Sequence, residues 1–451
     1  MSTAAIEGAA VEAERRDWER LFATCLMAAV TTPGMLLLGV SDSLDAPDTP
    51  LLRYYWLPIY AATMALCALR WRALLRFALP AVFALAIVGW AWASKDWSVI
   101  PEISSRRAMA LAFTTLLGLY LGAVWGGRKL PVMLADAFLP LAIGSILVCI
   151  AVPSVGVQHD GETSGAWRGL WAHKNMLGAW MGIGSLSAAA AAFLQPERRT
   201  RHLITLALCT FLLLMCRSKG MLLCWSLAMG TATILAMARR GPVWAVASVW
   251  VAGAVGTALG LLVAFDPSAI LQALGKSPTL TGRTDIWASV LRRVGESPYV
   301  GYGFAAFWEK GSVPAEVVKK ETGWMVPNAH NGWLDLLLQV GWVGVGLLGF
   351  VIAVALVGCI VRSRARVDGW FGLLFLIHYV ATSLSESVLE LHNSLPWALF
   401  IAVFAFACGP SPERPVEPSR PARRRSPAPA QTGFDWAALD RGAAPVTWRD
   451  P

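Results

Sequence analysis

Residues 333–361 read WLDLLLQVGWVGVGLLGFVIAVALVGCIV, an apolar run whose one charged side chain is Asp335. A helix needs roughly 20 apolar residues to cross ~30 Å of hydrocarbon, so this stretch reads as a membrane span long enough to begin outside the bilayer. Before it lies an aqueous segment of about 65 residues, from Asp266 to Gly332. The whole chain of 451 residues is 56% hydrophobic and 15% charged, against ~25% charged in ordinary soluble proteins. That composition describes an all-α polytopic membrane protein.

Working outward, further spans are expected at Leu21–Val40, Tyr54–Leu69, Phe77–Ala93, Met109–Gly126, Val132–Val152, Asn175–Leu194, Leu203–Cys216, Met221–Ala238, Trp244–Phe265, Trp370–Leu384 and Leu395–Cys408. About twelve transmembrane helices result. The organisation is a cytoplasmic N-terminal segment over 1–20, spans one to nine over 21–265, one large periplasmic loop over 266–332, spans ten to twelve over 333–409, and a tail over 410–451.

Short cytoplasmic loops carry an excess of Lys and Arg. With the N-terminus inside, the inner stretches hold Arg15, Arg16, Arg20, Arg70, Arg72, Arg76, Arg128, Lys129, Arg198, Arg199, Arg201, Arg239, Arg240, Arg362, Arg364 and Arg366; the short outer loops hold half as many. The expectation is a multi-pass protein of a plasma membrane with both termini cytoplasmic and the long loop outside. Mixed charge precedes the first span and no small-x-small site follows it, so it is expected to stay in the membrane rather than be cleaved.

All eight cysteines lie in or at the ends of expected spans, which leaves the outer loops neither a disulfide framework nor a CxxC metal site. The tail holds nine prolines from Pro410 onward and the Arg423-Arg424-Arg425 cluster, so it is expected to be disordered. The net charge of +9 owes much to that tail and to the inner loops. Anionic membrane lipids are the expected partner of this charge, and nucleic acid is not, because no basic folded domain accompanies it. Asp42, Asp45 and Asp48 sit among Ser and Pro in the first outer loop and read as solvated residues rather than metal ligands.

The candidate functional residues lie on the outer side. From Thr281 the pattern is helical, with Ile286, Trp287, Val290, Leu291 and Val294 on one apolar stripe. Arg283 falls in the middle of that stripe, either snorkelling to headgroups or projecting into a site. Pro327-Asn328 supplies a helix start with Asn328 as a cap, which places His330 in the first turn of span ten on the face of Leu334 and Leu337. A His on an apolar face is often a packing residue; at a helix N-terminus it sits where phosphate is attracted. Arg217 and Lys219, in the turn Cys216-Arg217-Ser218-Lys219-Gly220, stand on the side that usually excludes cations. They either snorkel or meet an anionic partner, for which a diphosphate is suited. Trp167-Arg168-Gly169-Leu170-Trp171-Ala172-His173-Lys174-Asn175 is either an interfacial anchor or a binding patch.

Three pieces of the outer segment resemble the O-antigen polymerase and ligase family of bacterial membrane glycosyltransferases: Gly282-Arg283-Thr284-Asp285-Ile286-Trp287, Ser297-Pro298-Tyr299-Val300-Gly301-Tyr302-Gly303-Phe304, and Ala329-His330-Asn331-Gly332-Trp333 continuing to Gly341. The run from Arg168 to Asn175 is similar to the family's exopolysaccharide-polymerase branch. The resemblance implies a C-type glycosyltransferase-like fold and a donor glycan on a polyprenyl diphosphate, usually undecaprenyl diphosphate. It further implies a glycan acceptor, inversion at the anomeric carbon, no metal and no cofactor, in a bacterial inner membrane. It maps the catalytic group onto Arg217, Arg283 and His330. Where the family often has Ser-Arg-Gly, this chain has Cys216-Arg217-Ser218-Lys219-Gly220.

The chemistry agrees with that mapping. Breaking a sugar–diphosphate bond develops charge that fixed guanidinium groups stabilise, and the acceptor hydroxyl needs a base near neutrality, which His supplies. Arg217 and Arg283 are therefore expected on the diphosphate and His330 as base or acceptor-orienting group. Arg168, His173, Lys174, Lys219 and Asn331 are expected in substrate binding. Transfer to lipid A core or to protein uses the same chemistry and remains open beside polymerisation. A transporter or lipid flippase is the alternative of another class; it is disfavoured by the lack of an internal repeat and by charges placed at the outer surface instead of the midplane.

Overall fold

A computed structural model describes residues 3–32, 50–159, 163–248, 250–251, 283–323, 325–365, 369–389 and 391–410. The longer helices over these residues are α1 (Thr3–Val30), α2 (Pro50–Leu69), α3 (Ala78–Ala93), α4 (Pro101–Trp125), α5 (Lys129–Ala151), α6 (Lys174–Leu194), α7 (Arg199–Met215), α8 (Lys219–Ala238), α9 (Arg283–Glu296), α10 (Val313–Thr322), α11 (Gly332–Ala365), α12 (Trp370–Ser383) and α13 (Leu395–Cys408). Each expected span with described residues coincides with helix; α4 begins eight residues before its apolar run because Pro101 starts it. Six of the helices are long and apolar enough to cross a membrane, and α12 and α13 are shorter apolar helices. Among the described residues the only β pairing is the isolated bridge Val157–Trp167. The protein is an all-α polytopic membrane protein. The end of the first span, Asp42, Asp45 and Asp48, most of the ninth span, residues 266–282 of the long loop and the tail beyond Pro410 lie outside the described residues.

The centre of the bundle is α13, where Leu395 to Ala407 are all buried. It lies so close to α4 that a Cβ on Gly118 would stand 2.5 Å from the Ala398 carbonyl oxygen, and one on Gly122 2.6 Å from that of Ala402. Small residues permit such approach where no hydrophobic effect drives helices together. Around this pair pack α6 on α7, α5 on α6, α8 on α12 and α11 on α13. Large apolar side chains point outward from the same helices, among them Leu79, Ile150 and Leu223, each more than 60% exposed, as lipid-facing surface requires. All eight cysteines are free thiols.

Span ten departs from an unbroken helix. Gly341, at φ 63° and ψ −170°, interrupts α11, and the backbone groups freed there are taken by neighbours. Tyr302 and Gly303 donate their N–H groups to the carbonyls of Leu338 (2.7 Å) and Gln339 (3.0 Å), and Trp90 Nε1 donates to Val340 O (3.0 Å). Trp342 and Val343 in turn donate to Pro298 O and Tyr299 O. A side chain on Gly341 would overlap the Tyr299 carbonyl, and one on Gly301 would lie 2.6 Å from the Gln339 backbone. The break was not visible as a pattern, because glycine is common in membrane helices. The Ser297–Phe304 motif is the segment that fills it.

The described part of the long loop, 283–331, has a core of its own, in which Ile286 and Val290 of α9 meet Phe307, Ala315, Val318, Val326 and Ala329. Leu291 is 54% exposed and does not belong to the buried stripe; Ser289 faces inward instead, bonded to Glu321. Arg292 points away from the core to Glu321 (2.6 Å).

Candidate active site

Contacts between their ends bring the starts of α6, α8 and α11 and the end of α12 to one face of the bundle. There the chain between α12 and α13 carries Ser385, Glu386 and Ser387. Asn175, in the first turn of α6, donates Nδ2 to Glu386 Oε1 at 2.7 Å and accepts at Oδ1 from Ser218 of the α7–α8 turn at 2.8 Å. Arg283, the first described residue of α9, donates Nη1 to Ser385 O (3.0 Å) and places Nη2 3.5 Å from Glu386 Oε1. His330 Nδ1 lies 3.8 Å from Glu386 Oε2. Three other chain segments thus reach one carboxylate, and Ser218 joins them through Asn175. Arg283 and Glu386 side chains are 20% exposed and His330 26%, so the cluster is open to a ligand yet shielded from bulk water.

The turn bearing His330 is built by its neighbours. His330 has a left-handed backbone at φ 48°, uncommon for a residue with a Cβ, and its N–H is held by Asn328 Oδ1 at 2.9 Å. Asn331, not Asn328, caps α11, accepting from Trp333 N (3.0 Å) and Leu334 N (3.3 Å). His330 therefore precedes the helix instead of sitting in its first turn, and is free of the Leu334 face. Buried Asp335 accepts from Trp308 Nε1 (2.7 Å), Ala329 N (3.1 Å) and Ser387, stitching this turn to the segment that carries Glu386. Trp287 Nε1 adds a bond to Ala329 O at 2.9 Å.

His173 caps α6, its Nδ1 accepting from Asn175 N at 3.2 Å. Burial lowers its pKa below the ordinary imidazole value, and this outweighs the attraction of Glu386. Lys174 follows it on the same turn, beside the cluster. Arg217 is exposed, with a left-handed backbone at φ 50°. Its Nη1 lies 3.3 Å from where a Cβ on Gly165 would stand, which puts the guanidinium beside that turn. Lys219 opens α8 two residues on, also exposed. Arg168 faces backbone: Nε bonds to Val155 O (2.7 Å), Nη2 to Ser154 O (3.3 Å) and Nη1 to Ala172 O (3.4 Å). Arg283, His330 and Asn331 thus come together, with His173 and Lys174 adjacent. Ser218 ties the turn that carries Arg217 and Lys219 to Asn175, while the Arg217 guanidinium lies by Gly165, and Arg168 clamps the preceding loop.

Glu386 was missed by sequence reasoning. The signal was a carboxylate flanked by serines, Ser385-Glu386-Ser387, in the short polar break between two apolar spans on the outer side. An acidic residue in such a turn reads as solvated unless its partners, far away in sequence, are known.

Comparison with known proteins follows the same residues. Residues 203–349 match the family model described as O-antigen ligase, a region holding Arg217, Lys219, Arg283, His330 and Asn331. Over 240 residues the chain is 30% identical to the exopolysaccharide production protein ExoQ of Rhizobium meliloti (strain 1021), a similarity covering 49% of this chain and 53% of that protein. The chain thus spans about half the length of the curated relative it matches. The chain is thus similar to the O-antigen ligase family over residues 203–349 and to an exopolysaccharide production protein over about half its length.

Proposed function

We propose that the protein is a membrane glycosyltransferase that moves a glycan from a polyprenyl diphosphate, undecaprenyl diphosphate in a bacterial inner membrane, onto a hydroxyl of an acceptor glycan at the periplasmic face. The observation that carries this reading is the convergence of Arg283 and His330, from opposite ends of the described loop, on one partly shielded cluster. Arg283 and Arg217 hold the diphosphate and stabilise the charge that develops on it as the glycosidic bond breaks. His330 takes the acceptor proton, and His173, neutral because burial disfavours its charged form, lies beside the acceptor with Lys174 and Lys219. Displacement from the face opposite the leaving diphosphate inverts the anomeric carbon. Arginines supply the electrostatic role that a metal takes in other sugar transferases. Likeness to an exopolysaccharide production protein favours polymerisation over transfer to lipid A core or protein.

The test uses purified protein in nanodiscs with a lipid-linked oligosaccharide, following chain growth and donor binding separately. His330→Ala is expected to bind donor and not transfer it. Transfer by wild type is expected to survive EDTA. Full activity of His330→Ala would assign the histidine to packing, and activity lost to EDTA but restored by a divalent ion would replace the arginine mechanism.

A further inference from the structure

We propose that Glu386 is the positioning residue for His330, holding the imidazole by Nδ1 so that Nε2 receives the acceptor proton, and that Arg283, sharing the same carboxylate, ties this arrangement to occupancy by the donor. The inference rests on the glycosyl-transfer reading above and adds a group to it.

The two oxygens of Glu386 have different surroundings. Oε1 accepts from Asn175 and faces Arg283, while Oε2 faces His330 Nδ1 at 3.8 Å. Nδ1 is buried and has no other hydrogen-bond partner. A buried ring nitrogen without a partner is costly, and a short rotation of either side chain closes the gap; catalytic hydrogen bonds are often long before substrate binds. The backbone of His330, fixed by Asn328 and by its left-handed φ, confines the ring to that neighbourhood. The charged and titratable groups facing it are Glu386 after α12, His173 at the start of α6 and Asp335 on α11, with Arg283 of α9 across the carboxylate. Among these, only the Glu386 carboxylate stands within ion-pair distance of the ring.

With Nδ1–H directed at Oε2, the tautomer is fixed and the lone pair resides on Nε2. In the step, the acceptor oxygen forms its bond to the anomeric carbon as the bond from that carbon to the diphosphate oxygen breaks. The electron pair leaves with the diphosphate, and the hydroxyl proton passes to Nε2. The resulting imidazolium is stabilised by Glu386. A diphosphate that draws Arg283 toward itself removes a positive neighbour from the carboxylate, which strengthens the attraction between Glu386 and protonated His330. Donor binding thereby tightens the hold of Glu386 on the group that activates the acceptor.

Two measurements test this. Isotope-labelled histidine in nanodiscs, with His330 assigned by His330→Asn, is observed by nitrogen NMR in wild type and Glu386→Leu; the His330 ring proton is expected on Nδ1 in wild type, and that preference is expected to be lost with the carboxylate. In the transfer assay, Glu386→Gln is expected to lower kcat about 100-fold with KM for the donor little changed, and to be partly rescued by Glu386→Asp. The same His330 ring tautomer in the two proteins overturns the proposal, as does a Glu386→Gln defect confined to donor binding, which would assign the carboxylate to holding Arg283. Absence of transfer by wild type, with the tautomer change intact, would sink the glycosyl-transfer reading and leave the pairing of Glu386 with His330 standing.

Discussion

Position on α9 decides the role of each arginine. Arg283 reaches Ser385 and Glu386, whereas Arg292 makes an exposed pair with Glu321, and exposed pairs contribute about 0–1 kcal/mol. Arg283→Ala is therefore expected to reduce transfer more than about 100-fold at normal protein levels, and Arg292→Ala to leave it near wild type, measured as chain growth per mole of protein. His173 makes a second prediction. Its folded-state pKa is depressed by burial, so the unfolded chain binds the extra proton first, and stability falls as pH drops below the ordinary His value of about 6.5. His173→Asn, which can still cap the helix, is expected to flatten the fall of Tm between pH 7 and pH 5. An unchanged slope would mean that the burial of His173 does not govern this window. Arg283 and His330 were legible because cations in an apolar frame stand out, but a polar residue in a turn is informative only once its distant partners are placed, and so Glu386 and Asn175 were not.

Helices were the most legible part of the chain, since a run of about 20 apolar residues leaves little choice once backbone groups must be satisfied without water. What the pattern concealed was the interruption of α11. Its glycine differs from others on the same helix: Gly341 has a positive φ and abuts Tyr299, while nothing approaches within 4 Å of where a Cβ on Gly346 would stand. Gly341→Ala forces a residue with a Cβ into backbone angles that are essentially glycine-only, costing about 1–3 kcal/mol, and adds an overlap with Tyr299. It is expected to lower Tm and to expose the loop to protease, whereas Gly346→Ala is tolerated. Equal behaviour of the two in a melt and a proteolysis time course would show that the motif over residues 297–304 does not depend on the break.

From the distribution of Lys and Arg, the Glu386 cluster is expected on the outer side of the bundle. An enzymatic reporter at Gly311, an exposed position of the described loop, is expected to be active only outside the cytoplasm, and one after Arg240 only inside. The reverse pattern would put the cluster on the wrong leaflet for the proposed donor. The interrupted span also bears on how the chain is made. A ribosome delivers the chain from the N-terminus, and every backbone or side-chain partner named for the break, Trp90, Pro298, Tyr299, Tyr302 and Gly303, precedes Gly341 in sequence. When the carbonyls of Leu338, Gln339 and Val340 leave the translocation channel, the donors that satisfy them have already been synthesised. Insertion of this span never has to wait for downstream chain, and a defect in the upstream motif would be felt first as failed insertion, before any effect on chemistry.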